Sequence, residues 1–347
     1  MKTFAILLNP ATIVELKRLL PGARFLPNAA LEFLLRKNLP LKVIRLKEIT
    51  SSRGEKISGY LIIWPVLRKT IASLDKEIIK EKIIEAGLLA GRLGARIIGT
   101  NGSYGLSALD LTGVTRKIKI PFTSGESLLS WSFFESLFLS TQEIGLELKD
   151  ASIAIIGANS TLGMLCARKL ATCALNIILA DTDVEKLNAF KETLISRKAQ
   201  EDKQSSLTVI STYELPQKAA HADIFIPVSN AACEQLTHIN LKPKSIICAV
   251  SDCQYLETIA ALLKDVTVIK GGIIKMPPSI DLGVDLGLPG NLINAALAEP
   301  ILLAFEGKTG TFSLGEATNI NRLEDIADIA VQYGFEIYNP LKQSLVH

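Results

Sequence analysis

Between Ser152 and Asp181 an apolar run, a glycine turn, a helix and a second apolar run ending in an acid follow one another, an order few folds accommodate. Ile153, Ala154, Ile155 and Ile156 form a short, largely β-branched run of the kind a parallel strand buried on both faces requires. Gly157 permits a sharp turn out of that strand. Gly163 falls in the first turn of a helix predicted over Thr161 to Cys173, where a missing side chain lets helix and strand pack closely. The backbone N–H groups of Asn159, Ser160, Thr161 and Leu162 then stand available to a pyrophosphate. Asn176 to Ala180 reads as the next strand, ended by Asp181, an acid roughly 20 residues past the glycines that suits the ribose hydroxyls of NAD and repels the 2′-phosphate of NADP. One departure stands out: Ser160 holds the place of the second glycine in a G-x-x-G-x-x-G pattern, where its hydroxyl is a candidate phosphate donor. The competing reading is an ordinary βαβ crossover whose glycines serve packing alone.

A chain of 347 residues has the length of about two domains. With 48% hydrophobic and 21% charged residues it has the composition of a soluble globular protein, and no apolar run approaches the ~20 residues of a membrane span. The opening Met1-Lys2-Thr-Phe-Ala-Ile-Leu-Leu is broken by Asn9-Pro10, which favours a first strand over a signal peptide and a cytoplasmic location. Five cysteines without a C-x-x-C pair and three histidines without ligand spacing argue against a metal site, and an odd thiol count reads as reduced cysteines. Residues 1–80 carry 15 lysines and arginines against 6 acids, a net of +9 in a chain of +3 overall. That basic region suits an acidic partner such as an acyl carrier protein or a CoA phosphate, or is simply a solvated face; no motif or aromatic cluster points to nucleic acid.

Strand-like and helix-like segments alternate along the whole chain, which predicts α/β architecture: a doubly wound, parallel-sheet Rossmann domain, a second α/β domain and C-terminal helices closing the cleft. The expected boundaries are 1–140 for the N-terminal substrate or partner domain, 141–285 for the dinucleotide domain and 286–347 for the C-terminal helices. Two further glycine loops, Gly99-Thr-Asn-Gly-Ser-Tyr-Gly105 and Phe122-Thr-Ser-Gly-Glu-Ser127, leave apolar strands. Loops in that position are where α/β proteins place ligands, so Ser103, Thr123, Ser124 and Glu126 are candidate substrate contacts. Ser229 and Asn230, just after a later strand, are expected beside the nicotinamide ribose.

The succession Gly94-Ala-Arg-Ile-Ile-Gly99, Phe122-Thr-Ser-Gly125, Ile155-Ile-Gly-Ala-Asn-Ser-Thr-Leu-Gly163, Ile269-Lys-Gly-Gly-Ile273 and Ala298-Glu-Pro-Ile-Leu-Leu-Ala-Phe-Glu-Gly307 resembles the long-chain acyl-acyl carrier protein reductases, in order and spacing, over most of the chain. Their relatives are also described as amino-acid- or shikimate-type dehydrogenases. The resemblance implies two steps: a cysteine takes the acyl group from a carrier thioester, and a nicotinamide hydride then releases the aldehyde. It places that cysteine three residues before the first glutamate of Ala298-Glu299, where this chain has Ala296. A methyl group cannot be acylated. Cys253, at a strand end, is a candidate relocated nucleophile; the alternative, which we favour, is direct hydride transfer to or from a carbonyl or alcohol without an acyl intermediate. The resemblance also implies NADPH, whereas Asp181 argues for NAD. Tyr104, Lys270 and Glu299 lie in segments the resemblance places around the cleft and are candidate proton donors or acceptors. The expectation is therefore an NAD(P)-dependent oxidoreductase acting on a small or carrier-bound acyl or carbonyl substrate. Its rivals are a non-catalytic cofactor-binding partner of a carrier-protein pathway and a shikimate- or amino-acid-type dehydrogenase.

Overall fold

The computed structural model describes residues 2–35, 39–71, 73–100, 111–198, 206–250, 256–262, 265–308, 310–313 and 320–339. They form two compact units, Met1–Leu129 with Ile274–Glu336, and Ser130–Ile273 with Ile337–His347. The first division falls inside one continuous helix, Glu126–Glu143. Nothing in the composition of a helix marks where its packing partners change.

The first unit opens with β1 (Lys2–Leu8), α1 (Ile13–Leu19), α2 (Asn28–Leu35), β2 (Lys42–Arg45), β3 (Ile49–Thr50) and β4 (Lys56–Ile63). It continues through α3 (Arg68–Ile71), α4 (Lys76–Arg92), β5 (Ile97–Thr100), α5 (Leu111–Ile118), β6 (Phe122–Thr123) and the start of α6 (Glu126–Glu143). Its sheet has the order β2–β4–β1–β5–β6, with β3 also on β4. β4, β1, β5 and β6 run parallel, whereas β2 and β3 are antiparallel to β4. One face packs Ala5, Leu7, Trp64, Ile83, Ile98 and Phe122 into a core.

The second unit holds β7 (Ser152–Ile156), α7 (Thr161–Leu170), β8 (Asn176–Asp181), α8 (Val184–Lys198), β9 (Ser206–Ser211) and α9 (Leu215–Lys218). After these come β10 (Ile224–Pro227), α10 (Asn230–Leu236), β11 (Ile246–Ala249), α11 (Leu256–Leu262) and β12 (Thr267–Lys270). All pairings in its sheet are parallel, in the order β12–β11–β10–β7–β8–β9. Numbered from β7, that is the 3-2-1-4-5-6 order of the doubly wound dinucleotide fold, with its switch point between β7 and β10. The β-branched run reads as it must for a strand covered on both faces: Ile153 to Ile156 are wholly buried.

The chain then forms β13 (Ile273–Lys275), β14 (Leu292–Asn294), α12 (Ala295–Glu306), α13 (Ile320–Gln332) and β15 (Glu336–Ile337), whose strands make a small sheet in the order β14–β13–β15. Within the first unit α12 lies against β1 and β5, so closely that a Cβ on Gly99 would stand 2.5 Å from Pro300. α7 ends at Leu170, not at the expected Cys173, and α12 starts at Ala295 because Asn294 caps it by accepting from the Ala296 amide at 2.9 Å. Among the described residues no helix is long and apolar enough to cross a membrane.

Candidate dinucleotide site

The site grows from the carboxyl ends of β7, β8 and β10, inside the second unit. Gly157 leaves β7 with φ +85°, a conformation a side chain disfavours, and a Cβ there would lie 2.7 Å from Val228 Cγ2 at the end of β10. The turn is closed from β8: the Asn159 amide donates to Asp181 Oδ2 at 2.9 Å, and Asn159 Nδ2 donates to the Asp183 carbonyl at 2.8 Å. Ser160 caps α7. Its Oγ accepts from the Gly163 amide at 3.0 Å and donates to the Gly157 carbonyl at 2.9 Å. The expected phosphate donor is thus engaged as a cap, and its φ of −72° explains why no glycine is needed at that place.

Three observations test whether these residues fit a dinucleotide. Gly163 lets α7 close on the turn as the third glycine of such a fingerprint does, since a Cβ there would stand 2.7 Å from both Ala158 Cα and the Gly157 carbonyl oxygen. The amides of Thr161 and Leu162 have no protein acceptor among the described residues, which leaves two N–H groups at the positive end of α7 for an anion. The buried Asn159 Oδ1 lacks a partner, next to a carboxylate on Asp181 that remains half-exposed. The residues fit. Ser229 caps α10 by accepting from the Ala232 amide at 3.2 Å, and Asn230 begins that helix, across the switch point from Gly157. Sequence reasoning overlooked Asp183 and Lys186. Asp183 Oδ1 accepts from the Lys186 amide at 3.0 Å, and the Lys186 ammonium reaches the Asn159 carbonyl at 3.4 Å. The signal was the second acid of Asp181-Thr-Asp183.

The residues proposed from sequence for the first unit sit differently. Thr123 and Ser124 are wholly buried, and their hydroxyls donate to the Glu299 carboxylate and to the Ser313 carbonyl. Both were expected to face substrate; both are committed within the protein, because buried hydroxyls need partners and residues far along the chain supply them. Glu299 is 0% exposed, and its Oε2 accepts from the Leu128 amide at 2.8 Å. Gly125 and Ser313 also donate to it. Burial pushes this carboxyl up, against the opposing pull of those hydrogen bonds. Glu299 therefore caps α6 and seals the β6–α6 turn instead of facing solvent. Ser313, with φ +45°, adds its Oγ as acceptor for the Ser127 amide at 3.1 Å. Glu126 stands half-buried at the start of α6. Ala296 is wholly buried, and Gly125, φ +78°, packs so tightly on it that a Cβ would come within 2.6 Å of the Ala296 Cβ.

Lys270 ends β12, paired with Ala249 of β11 in the second unit, and is half-buried. Tyr104, Ser103 and Cys253 lie outside the described residues. Cys166, Cys173 and Cys248 form no disulfide, and burial pushes the thiols of Cys166 and Cys248 far up. Cys233 is disulfide-bonded, which corrects the expectation of an all-reduced set: spacing along a chain does not show which Cβ atoms a fold brings into bridging range. Among the described residues no cluster of His, Cys, Asp or Glu is arranged to hold a metal ion.

No family model matches the chain. The chain is 22% identical to the aminotransferase PigE of Serratia sp. over 87% of its own length, but it spans only 35% of that protein. It is also 22% identical to the long-chain acyl-[acyl-carrier-protein] reductase of Synechococcus elongatus, covering 86% of this chain and 87% of that protein. Among solved structures it is similar to L-tryptophan dehydrogenase from Nostoc punctiforme, at 14% identity over 94% of this chain and 80% of that one, TM-score 0.43. A second is quinate dehydrogenase from Corynebacterium glutamicum in complex with NAD, at 10% identity over 95% and 99%, TM-score 0.38.

Proposed function

We propose that this chain is a cytoplasmic NAD(P)-dependent oxidoreductase related to the acyl-acyl carrier protein reductases. In this reading it prefers NAD and exchanges hydride directly with a carbonyl or alcohol substrate. The observation that carries the reading is the β7–α7 turn, with Gly163 packed on its backbone, two unpartnered helix-terminal amides and the Asp181 carboxylate in one place. When bound, the nicotinamide would supply the hydride. The chain's own work is to hold it: Thr161 and Leu162 amides at the pyrophosphate, Asp181 at the adenosine ribose, Ser229 and Asn230 at the other ribose. Lys270 is our assignment for proton transfer at the substrate oxygen, with Tyr104 as the alternative. Glu299 leaves that list, since a sealed carboxyl with several internal donors has no path to substrate. The wholly buried Ala296 supports a reaction without a thioester at that position, and the basic residues before Lys80 support an acidic carrier as the substrate's bearer.

Titration of NADH and NADPH by fluorescence tests the reading. Asp181→Ala should weaken NADH binding by about 10- to 100-fold, the range for hydrogen bonds to a charged group, and NADPH binding much less. Because Asp181 also holds the Asn159 amide, Asp181→Asn is the control that retains an acceptor. Equal losses for both nucleotides would overturn the NAD preference, and binding of neither by the unaltered protein would overturn the cofactor.

A further inference from the structure

Exposed apolar side chains scattered singly need no explanation, but a cluster of them marks a contact surface. In the first unit Val14, Phe25, Leu26 and Phe33 make such a cluster, four of the twelve large apolar side chains left exposed among the described residues. Leu16, Leu31 and Leu35 turn inward to a small core, and Val14 and Phe33, two residues from them along α1 and α2, lie on the opposite faces. Between the two helices the chain makes a 3-10 turn over Pro21–Phe25, at the end of which Phe25 is 89% exposed. From Pro21 to Pro27 the one charged residue is Arg24. The turn is tied back to its neighbours: Arg24 Nε donates to the Lys17 carbonyl at 3.1 Å, and Lys17 Nζ donates to Asn28 Oδ1 at 2.8 Å. The charge around it is one-sided. Residues 13–47 hold eight lysines and arginines against Glu15 and Glu32, a net of +6, and the ion pairs of Arg18 with Asp285 and of Lys47 with Asp281 lower it to +4.

We propose that the Pro21–Pro27 turn, with Phe25 and Leu26 at its tip, is a docking surface for an anionic phospholipid bilayer, independently of the oxidoreductase reading. The surrounding cations draw the chain to a negatively charged leaflet, and the two apolar side chains enter below its headgroups. Arg24 stands among them on a stem long enough to keep its guanidinium at the phosphates while its methylenes go under. Two other occupants fit less well. A second copy meeting this one about a two-fold axis sets the same positive patch against itself. An acidic protein answers the charge but must also supply a pocket for each protruding side chain, whereas a fluid bilayer needs none.

Flotation of the full chain with vesicles is the test. The chain should bind vesicles of equal parts phosphatidylglycerol and phosphatidylcholine, and not vesicles of phosphatidylcholine alone. Phe25→Ser should weaken that binding at least about tenfold, the worth of burying one large apolar side chain, without lowering the melting temperature at so exposed a position. Phe25→Trp should keep binding, and Arg24→Gln should weaken it and flatten its dependence on salt. No binding of anionic vesicles by the unaltered protein overturns the proposal. So does equal binding to both kinds of vesicle, or undiminished binding by Phe25→Ser, which would leave charge as the whole attraction. A dimer in sedimentation that Phe25→Ser dissolves, or a complex with acyl carrier protein that it abolishes, either without vesicle binding, gives the face to that partner and overturns the proposal as well.

Discussion

At the scale of single residues, two carboxylates show how one functional group serves opposite ends. Asp181 stays half-exposed and divides its oxygens between the Asn159 amide and Thr182, with lone pairs to spare for a ribose. Glu299 is sealed and spends its oxygens on the β6–α6 turn. Its raised pKa has a consequence for stability. A carboxyl whose folded pKa exceeds its unfolded value binds more protons when folded, so its contribution falls as pH rises from the unfolded value, near 4.5, through the raised one. Comparing denaturant unfolding of the unaltered protein with Glu299→Gln between pH 4 and 8 should therefore show the unaltered protein's advantage shrinking with pH. An advantage that grows with pH would mean that the hydrogen bonds outweigh burial. Thr123, Ser124 and Glu299 misled as site residues for one reason: hydroxyls and acids near a turn read alike in sequence whether they face a ligand or a residue 176 positions away.

At the scale of elements, the strand–turn–helix of β7 and α7 separates capping from cofactor binding. Ser160 holds the helix end through its side chain, whereas Gly163 lets the helix pack directly on the turn's backbone. Ser160→Ala should cost about 1 kcal/mol of stability, the usual worth of such a cap, and leave NADH affinity nearly unchanged. A loss of tenfold or more in affinity would instead make the hydroxyl a phosphate ligand. Gly163→Val should instead lower both the melting temperature and nucleotide affinity, because its Cβ would meet the turn's own backbone at 2.7 Å, which cannot swing aside. Fluorescence titration and thermal melting of the two variants separate these effects. The strands β7 and β8 were legible to within a residue, because each holds a continuous apolar run before a turn. The short strands β3, β13, β14 and β15 were not, since two or three residues carry no period.

At the scale of the whole molecule, the cofactor reading predicts where a nucleotide leaves its mark. NAD⁺ at about 100 times its dissociation constant adds roughly 2.7 kcal/mol to whatever opening releases it. Amide exchange of β7, α7 and β8 should then slow by up to about 100-fold, by mass spectrometry of peptides spanning Ser152–Asp181. Unchanged exchange there would leave the glycine turn as packing alone. What the sequence determined by itself was the doubly wound half: apolar runs, a turn glycine, a helix start and a terminal acid are encoded by neighbours in the chain, so their order is their structure. Tertiary structure alone decided the rest. It brought Glu299 and Ser313 to the turn at Thr123–Ser127 and placed Gly125 on Ala296. Those pairings join residues far apart along the chain, and whether a buried polar atom is satisfied depends on neighbours that only folding supplies.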